Sequence, residues 1–309
     1  MDVRYLPRRG RALAKRFGAQ ADEVSFAAQA SARLATRGFD VWHAFGTADA
    51  AAAATLSRVR DITSVYMDLG ISEKHWRDRR PDRRLYDVVL RHIDRYVCYS
   101  EAAAASVRRD YGRRVDVIGG GVDMRAYRPV GTRNPTPVFL FPSTVDDPRK
   151  NFPLLLVAFG LLRHRRPDAE LWHVGPGNAA AVMEAAPAAA RGATRSLGVV
   201  APEELIDLYG RTWVTVLPSR GEAFGMVVVE SLACGRPAVV LADAGPAELV
   251  PPGTGFASEP TPDALAEALE RALELAELPG TEEACRAAAE PYDWRHGIVP
   301  KVEALYRGV

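Results

Sequence analysis

The sequence predicts an α/β protein of two lobes in tandem, each a parallel sheet covered by helices. Three observations carry this. Short apolar strands alternate with helix-like segments along most of the chain. The stretch "YRPVGTRNPTP" (Tyr127–Pro137) holds three prolines and no hydrophobic period, so it reads as a linker. The charge divides at the same place: residues 1–130 carry 24 Lys+Arg against 16 Asp+Glu, and residues 131–309 carry 16 against 23. Two halves of opposite sign predict two domains with different tasks.

The elements follow in order. "DVWHAFG" (Asp40–Gly46), "DITSVYMDLG" (Asp61–Gly70) and "RYVCYS" (Arg95–Ser100) are short apolar runs ending in turns, hence strands. Ser100 is placed to cap the helix "EAAAASVRRDYG", and Gly112 to close it. The alanine runs at 50–54 and 102–105 favour helix without implying function. After the linker come "PVFLFPS" (strand), "NFPLLLVAFGLLRHRR" (helix) and "AELWHVGPG" (strand and turn). "EELIDLYGR" (helix), "TWVTVLPS" (strand), "GMVVVESLACG" (helix) and "RPAVVLAD" (strand) complete the alternation. "TPDALAEALERALEL" is a helix capped by Thr261 or Asp263. Parallel sheets of this kind bind ligands at the carboxyl ends of their strands.

Composition sets limits. The chain has 309 residues, 48% hydrophobic and 26% charged, an ordinary globular balance that points to no nucleic-acid partner. Cys98, Cys234 and Cys285 are odd in number and far apart, which predicts neither disulfides nor a CxxC metal site and favours a cytoplasmic location. The basic N-terminus lacks an apolar core and does not read as a signal peptide. The longest apolar run, "LLLVAFGLL" from Leu154, is too short to span a bilayer. No DxD or clustered His/Asp pattern predicts a metal; "VDD" at 145–147 is too weak a signal.

The segment "SRGEAFGMVVVESLACGRP" (Ser219–Pro237) carries the chemistry. A strand ends at Ser219, a glycine-bearing loop follows, and then an apolar helix begins at Gly225. Such a helix start offers backbone N–H groups and a positive dipole to an anion. Glu230 sits inside the apolar helix, where an unpartnered carboxylate is costly. Either it lies on a narrow exposed stripe, or hydroxyl donors such as those of a ribose meet it. Phosphate on the helix start and ribose on Glu230 together describe a nucleotide. Lys150, one of only four lysines, follows Arg149 at the start of an earlier helix, where the pair is either a solvated surface pair or neutralises a diphosphate.

These residues make the segment recognisable. "PSRGEAFGMVVVESLACGRPAVV" resembles the C-terminal signature of the retaining family 4 glycosyltransferases, with Glu222 and Glu230 matching their E-x₇-E motif. "DVWHAFG", "YVCYSEAAAASVRRDYG", "VIGGGVDMRAYRP", "DPRKNFPLLLVAF" and "YDWRHG" are similar to other family segments and occur in the family's order, over roughly residues 38–309. The resemblance implies two Rossmann-like lobes of the GT-B fold, the N-terminal one shortened, either naturally reduced or with the gene start upstream of this sequence. It assigns residues 1–130 to an acceptor-side lobe and 131–290 to a nucleotide-sugar lobe, and returns a helix in 291–309 to the first lobe. It implies that Glu222, Lys150 and Arg149 act in catalysis. Glu230, Ala223, Phe224, Gly225, Met226, Ser219 and Val200 would bind the donor. The donor would be a UDP-sugar, with a GDP-sugar as the alternative, and no cofactor or metal would be used. The acceptor would be a small molecule or lipid-linked, with peripheral membrane contact as an option, from natural-product or cell-envelope biosynthesis.

Departures from the family pattern fall mainly in the first lobe. The chain begins about where a third strand would, at "VRYLP", without the preceding glycine-rich loop. Met67 stands where the family often has a histidine, leaving Asp68, His75 and His43 as acceptor-side candidates. Gly119-Gly120-Gly121 replaces the family's "PNG", and Ser143-Thr144 replaces a Gly-Arg pair. A non-catalytic binding homologue and a sugar-nucleotide epimerase therefore stand as alternatives. His173 and His164 read as structural. The run "RDRRPDRR" (77–84) would face an anionic acceptor or be a solvated surface.

Overall fold

The computed structural model describes residues 27–32, 38–71 and 83–308. Two compact units divide it: one runs to Ile118 and resumes at Ala304, the other is Gly119–Glu303. The division precedes the proline-rich linker, because Gly119–Gly121 already pack on residues of the second unit. An added Cβ would lie 2.7 Å from Phe224 at Gly119 and 2.5 Å from the Trp294 ring at Gly121. Only glycine permits that approach.

In the first unit, strands β1 (Val41–Ala44), β2 (Thr63–Asp68), β3 (Arg95–Cys98) and β4 (Asp116–Val117) pair in parallel in that order. Helices α1 (Thr47–Leu56), α2 (Arg83–His92) and α3 (Glu101–Tyr111) connect them. Ala44, Tyr66 and Tyr96 are in register across three strands, so their side chains share a face and join one core with Trp42, Tyr86 and Val107. The alanine run proves to be α1, and Ala50, Ala51, Ala53 and Ala54 are all buried. Ser100 caps α3 by accepting from the Ala103 N–H, and Gly112 ends it with φ 62°.

In the second unit six parallel strands run in the order β10-β9-β8-β5-β6-β7. They are β5 (Val138–Pro142), β6 (Glu170–Val174), β7 (Thr194–Ser196), β8 (Val214–Leu217), β9 (Ala238–Leu241) and β10 (Gly255–Ser258). The helices are α4 (Phe152–Arg163), α5 (Ala179–Glu184), α6 (Ala188–Arg191), α7 (Pro202–Arg211), α8 (Met226–Ala233), α9 (Pro262–Glu277) and α10 (Thr281–Ala289). Alternation along β5 builds both faces. Phe139 and Phe141 join Phe152, Phe159, Leu265 and Leu269 under α4 and α9. Val138 and Leu140 join Trp172, Leu208 and Tyr209 on the other side. Each fully buried aromatic contributes about 1.5–3 kcal/mol from burial. A last helix, α11 (Val299–Arg307), carries the chain back into the first unit from Ala304.

Three local readings change. Arg149 and Lys150 lie in a short 3₁₀ turn (Pro148–Lys150), not in α4, because Asn151 takes a left-handed conformation (φ 58°) between them. β7 and β10 escape sequence reading: "TRS" has no apolar residue and "GFAS" only two. Thr261 rather than Asp263 caps α9, accepting from the Ala264 N–H. No helix among the described residues is long and apolar enough to cross a membrane.

Candidate functional site

The strand order of the second unit locates a site. From β5 the chain moves outward through β6 and β7, then returns to place β8 on the opposite side of β5. Ligands in open parallel sheets bind where connections diverge in this way, at the carboxyl ends of the strands. The loop after β5 holds Arg149 and Lys150; the loop after β8 holds Ser219, Glu222, Ala223 and Phe224. The Arg220 N–H donates to the Arg149 carbonyl at 2.8 Å and ties the loops together.

Lys150 and Glu222 meet there. The Lys150 ammonium donates to Glu222 Oε2, and the side chains are 20% and 21% exposed. That is open enough to reach a ligand and closed enough for the pair to matter. Arg149 points elsewhere. Its guanidinium bonds Asp147 at 2.7 Å and is 65% exposed, and that bond holds the Asp147 carboxyl below its usual range. Arg149 thus contributes a backbone tether to the site, while its side chain serves Asp147.

The start of α8 is shaped by contacts behind it. Gly225 is the N-cap, with φ 92°, and a Cβ there would lie 2.8 Å from Pro246. It has no side chain to cap the helix, and while the Val228 N–H donates to the Gly225 carbonyl at 2.9 Å, the Met226 and Val227 N–H groups can meet an anion. The Gly245 N–H donates to the Glu222 carbonyl at 3.0 Å. Ala223 and Phe224 are buried, and the Phe224 ring packs on Tyr292 with centroids 5.5 Å apart. Their backbone, not their side chains, can touch a ligand. Ser219 is 1% exposed and its Oγ has no hydrogen-bond partner among the described residues.

Glu230 shares the half-exposed stripe of α8 with Met226 and Val227. Its carboxylate has protein partners that sequence reading missed. The Tyr209 hydroxyl donates to Oε2 at 2.8 Å, and the Tyr127 phenol lies beside the same group. Burial raises the Glu230 pKa, and the two tyrosines oppose that rise. The "EELIDLYGR" helix carried the signal, since Tyr209 falls on the apolar face of α7 with Leu208. Val200 packs on the same cluster as Tyr209 and Tyr127.

His173 is a structural partner to the site. It is fully buried in β6, bonded to the Ser143 carbonyl through Nε2 and to Ser196 Oγ through Nδ1, both at 2.9 Å. The carbonyl must accept, so Nε2 carries the proton and Nδ1 accepts from Ser196. This fixes the Ser143-Thr144 turn at the end of β5.

The first unit has its own strand-end residues. Asp68 is 4% exposed at the end of β2, where its Oδ2 accepts from Tyr96 at 2.6 Å and its Oδ1 accepts from the Gly70 N–H at 3.1 Å. Tyr86 meets Tyr96 hydroxyl to hydroxyl at 2.6 Å. His43, in β1, bonds Tyr306 of α11 at 2.6 Å through Nδ1 and stacks on Phe45 at 4.7 Å. Burial lowers its pKa. His75 lies outside the described residues, as does most of "RDRRPDRR"; Arg83 and Arg84 are exposed at the start of α2. Among the described residues no three His, Cys, Asp or Glu side chains gather as a metal site.

Two parallel-sheet units, with paired strand-end loops and an uncapped helix start in the second, define a GT-B-type protein. Residues 2–126 match the profile "Glycosyltransferase Family 4" and residues 136–275 match "Glycosyl transferases group 1". The chain belongs to the family 4 glycosyltransferases. It is 31% identical over 162 residues to a phosphatidyl-myo-inositol mannosyltransferase of Propionibacterium freudenreichii, covering 50% of this chain and 40% of that protein. It is 32% identical over 183 residues to a D-inositol 3-phosphate glycosyltransferase of Nocardiopsis dassonvillei, covering 51% and 42%. The chain therefore spans about two fifths of these relatives. The crystal structure of Anabaena HepE in complex with UDP shares the fold, with a TM-score of 0.75, 17% identity, and coverage of 92% of this chain and 81% of that one.

Proposed function

We propose that this chain is a retaining, metal-independent glycosyltransferase that moves a sugar from a nucleotide diphosphate sugar to a small-molecule or lipid-linked acceptor. The observation that carries the reading is the Lys150–Glu222 pair beside the uncapped start of α8, at the point where the strand order reverses. The ammonium and the helix N–H groups suit a leaving diphosphate, and Glu222 suits the donor sugar's hydroxyls. Glu230, on the same helix, suits the ribose hydroxyls. UDP is the favoured nucleotide, because a neighbour in fold is complexed with UDP; GDP is the alternative.

In the reaction, the bond from the anomeric carbon to the diphosphate oxygen breaks. The acceptor oxygen bonds to that carbon on the same face, and its proton passes to the leaving diphosphate. Lys150 is most effective once the leaving oxygen has gained charge, which is the condition for rate acceleration. Asp68 in the first unit is the acceptor-side candidate. Location in the cytoplasm and peripheral membrane contact belong to the same proposal.

The test is incubation with a panel of UDP- and GDP-sugars, reading released nucleoside diphosphate and the anomeric configuration of any product by NMR. An α-linked product from an α-configured donor is expected. Nucleotide binding with no turnover on any donor would leave a binding protein instead, and an inverted product would remove the mechanism.

A further inference from the structure

Glu230 is held by groups from two other segments. Tyr209 comes from α7 and is fully buried; its hydroxyl donates to Glu230 Oε2 at 2.8 Å. Tyr127 comes from the segment after Gly119–Gly121, and its ring centroid lies 6.2 Å from that of Tyr209. Its phenol lies beside the same carboxylate, and burial together with that charge pushes it up to about 12. Each phenol has one proton to give. No lysine, arginine or histidine pairs with Glu230 among the described residues, so the Tyr209 phenol is its fixed donor, with Tyr127 beside it. A carboxylate offers about four lone-pair positions. Tyr209 fills one and leaves room for both hydroxyls of a vicinal diol.

From this geometry we infer that Tyr209 and Tyr127 are positioning residues for nucleotide recognition, holding the Glu230 carboxylate in one orientation so that its remaining acceptor positions meet the two ribose hydroxyls. The inference rests on the assignment of Glu230 to ribose. Fixing the carboxylate before the ligand arrives removes an ordering penalty from binding. It also selects for the diol, since a nucleotide without it would leave buried acceptor positions unfilled.

Calorimetric titration tests this with two probes: UDP, which has the diol, and inorganic diphosphate, which does not. Tyr209→Phe and Tyr127→Phe keep the rings and remove only the hydroxyls. Each should weaken UDP binding about 3- to 10-fold and leave diphosphate binding unchanged. In a Glu230→Gln background the further loss should shrink, because the interaction runs through the carboxylate. The acid limb of UDP binding should also move to higher pH in both variants. The groups facing Glu230 are Tyr127, Tyr209 and Cys234, and burial holds the Cys234 thiol up at about 12. Removing a hydroxyl donor therefore leaves the ionised carboxylate less supported.

Failures separate cleanly. UDP affinity untouched by Glu230→Gln removes Glu230 from the ribose and ends the broader assignment. A loss with Glu230→Gln but none with either phenylalanine overturns the positioning role alone. So does equal weakening of UDP and diphosphate, which would mark a general packing defect. Were Tyr209→Phe to fail to fold, the half-exposed Tyr127→Phe would carry the same comparison.

Discussion

Lys150 and Glu222, 72 residues apart in sequence, form an ion pair across the two loops that flank β5 and β8. The pair stores a positive charge where a leaving diphosphate would need one and keeps it from wandering. A ligand anion entering beside it would share the ammonium, and Glu222 would be released toward the sugar.

Lys150→Ala should therefore lower kcat more than it raises the donor KM. Loss of one such donor to a developing anion costs on the order of 10²–10³-fold in kcat. Steady-state kinetics with the best donor of the panel read this directly. A pure KM effect would reduce Lys150 to ground-state binding.

Glu230→Gln should do two opposite things. Nucleotide affinity should fall by about 1–3 kcal/mol, since a charge-assisted bond is lost. Thermal stability at neutral pH should rise. Burial raises the folded-state pKa of Glu230, so between the ordinary carboxylate value and that raised value the folded state binds the extra proton. Its stability contribution is thus lost as pH rises through the raised value, and the ionised group is a burden at pH 7 that glutamine removes. Differential scanning fluorimetry with and without UDP measures both. A variant less stable than the parent without UDP contradicts this account.

Several residues of this candidate site stand out in the sequence. Alternating apolar segments gave four of the six strands of the second unit and the helices α4, α7, α8 and α9, because parallel strands buried on both faces leave little room for polar residues, while β7, β10, α5, α6 and α10 carry no such pattern. Glu222 and Lys150 stood out as charges in a glycine-bearing loop and at a strand-to-helix turn. What it could not reveal was who meets whom. Tyr209 looks like any core aromatic on α7 until the fold brings it to Glu230. Arg149 looks equivalent to Lys150 until Asp147, two residues away, claims it. The glycine triplet looks like a loop, and its purpose lies in Phe224 and Trp294, more than 100 positions later.

Gly119→Ala tests that last contact. The new Cβ would lie 2.7 Å from Phe224 Cε2, and Phe224 is 4% exposed against Tyr292, with little room to yield. Overpacking of this kind costs about 1–3 kcal/mol. Because Phe224 precedes the N-cap of α8, UDP binding should weaken as well. Gly38→Ala is the control, with nothing within 4 Å of its Cβ, and should stay within about 0.5 kcal/mol of the parent. Equal stabilities for the two variants, measured by urea unfolding, would show that the loop accommodates the methyl.

His173 predicts an acid limit to stability. Burial lowers its folded pKa, so the unfolded chain takes the proton first, near an ordinary histidine pKa of about 6.5. The stability it supplies is full above that pH and is lost as pH falls toward the lowered folded value. The melting temperature should decline below about pH 6.5, and His173→Gln should flatten the decline while lowering the plateau. His43 shares the direction of shift, so a His43→Gln variant is needed to apportion the slope. A slope unchanged in both variants would assign acid sensitivity to other groups.

Asp68→Asn separates an acceptor-side role from a merely architectural one. The carboxylate closes β2, with Tyr96 on one oxygen and the Gly70 N–H on the other. Asparagine keeps the shape but removes the charge and offers an amide N–H where one of the oxygens was. Were Asp68 only a tie for the strand end, the variant would melt lower and transfer at its usual rate once folded. If it orients or polarises an acceptor hydroxyl, transfer should fall by about 10²-fold, the scale of a lost general base. UDP affinity should not change, because every residue proposed to hold the nucleotide belongs to the other unit. Hydrolysis of the donor by water, if present, should persist too, since it bypasses the acceptor. Tyr96→Phe supplies the second reading: it removes the donor to Oδ2 but leaves the charge, so it should cost stability more than turnover. Transfer by Asp68→Asn at the parental rate, with UDP binding intact, would take Asp68 out of the reaction.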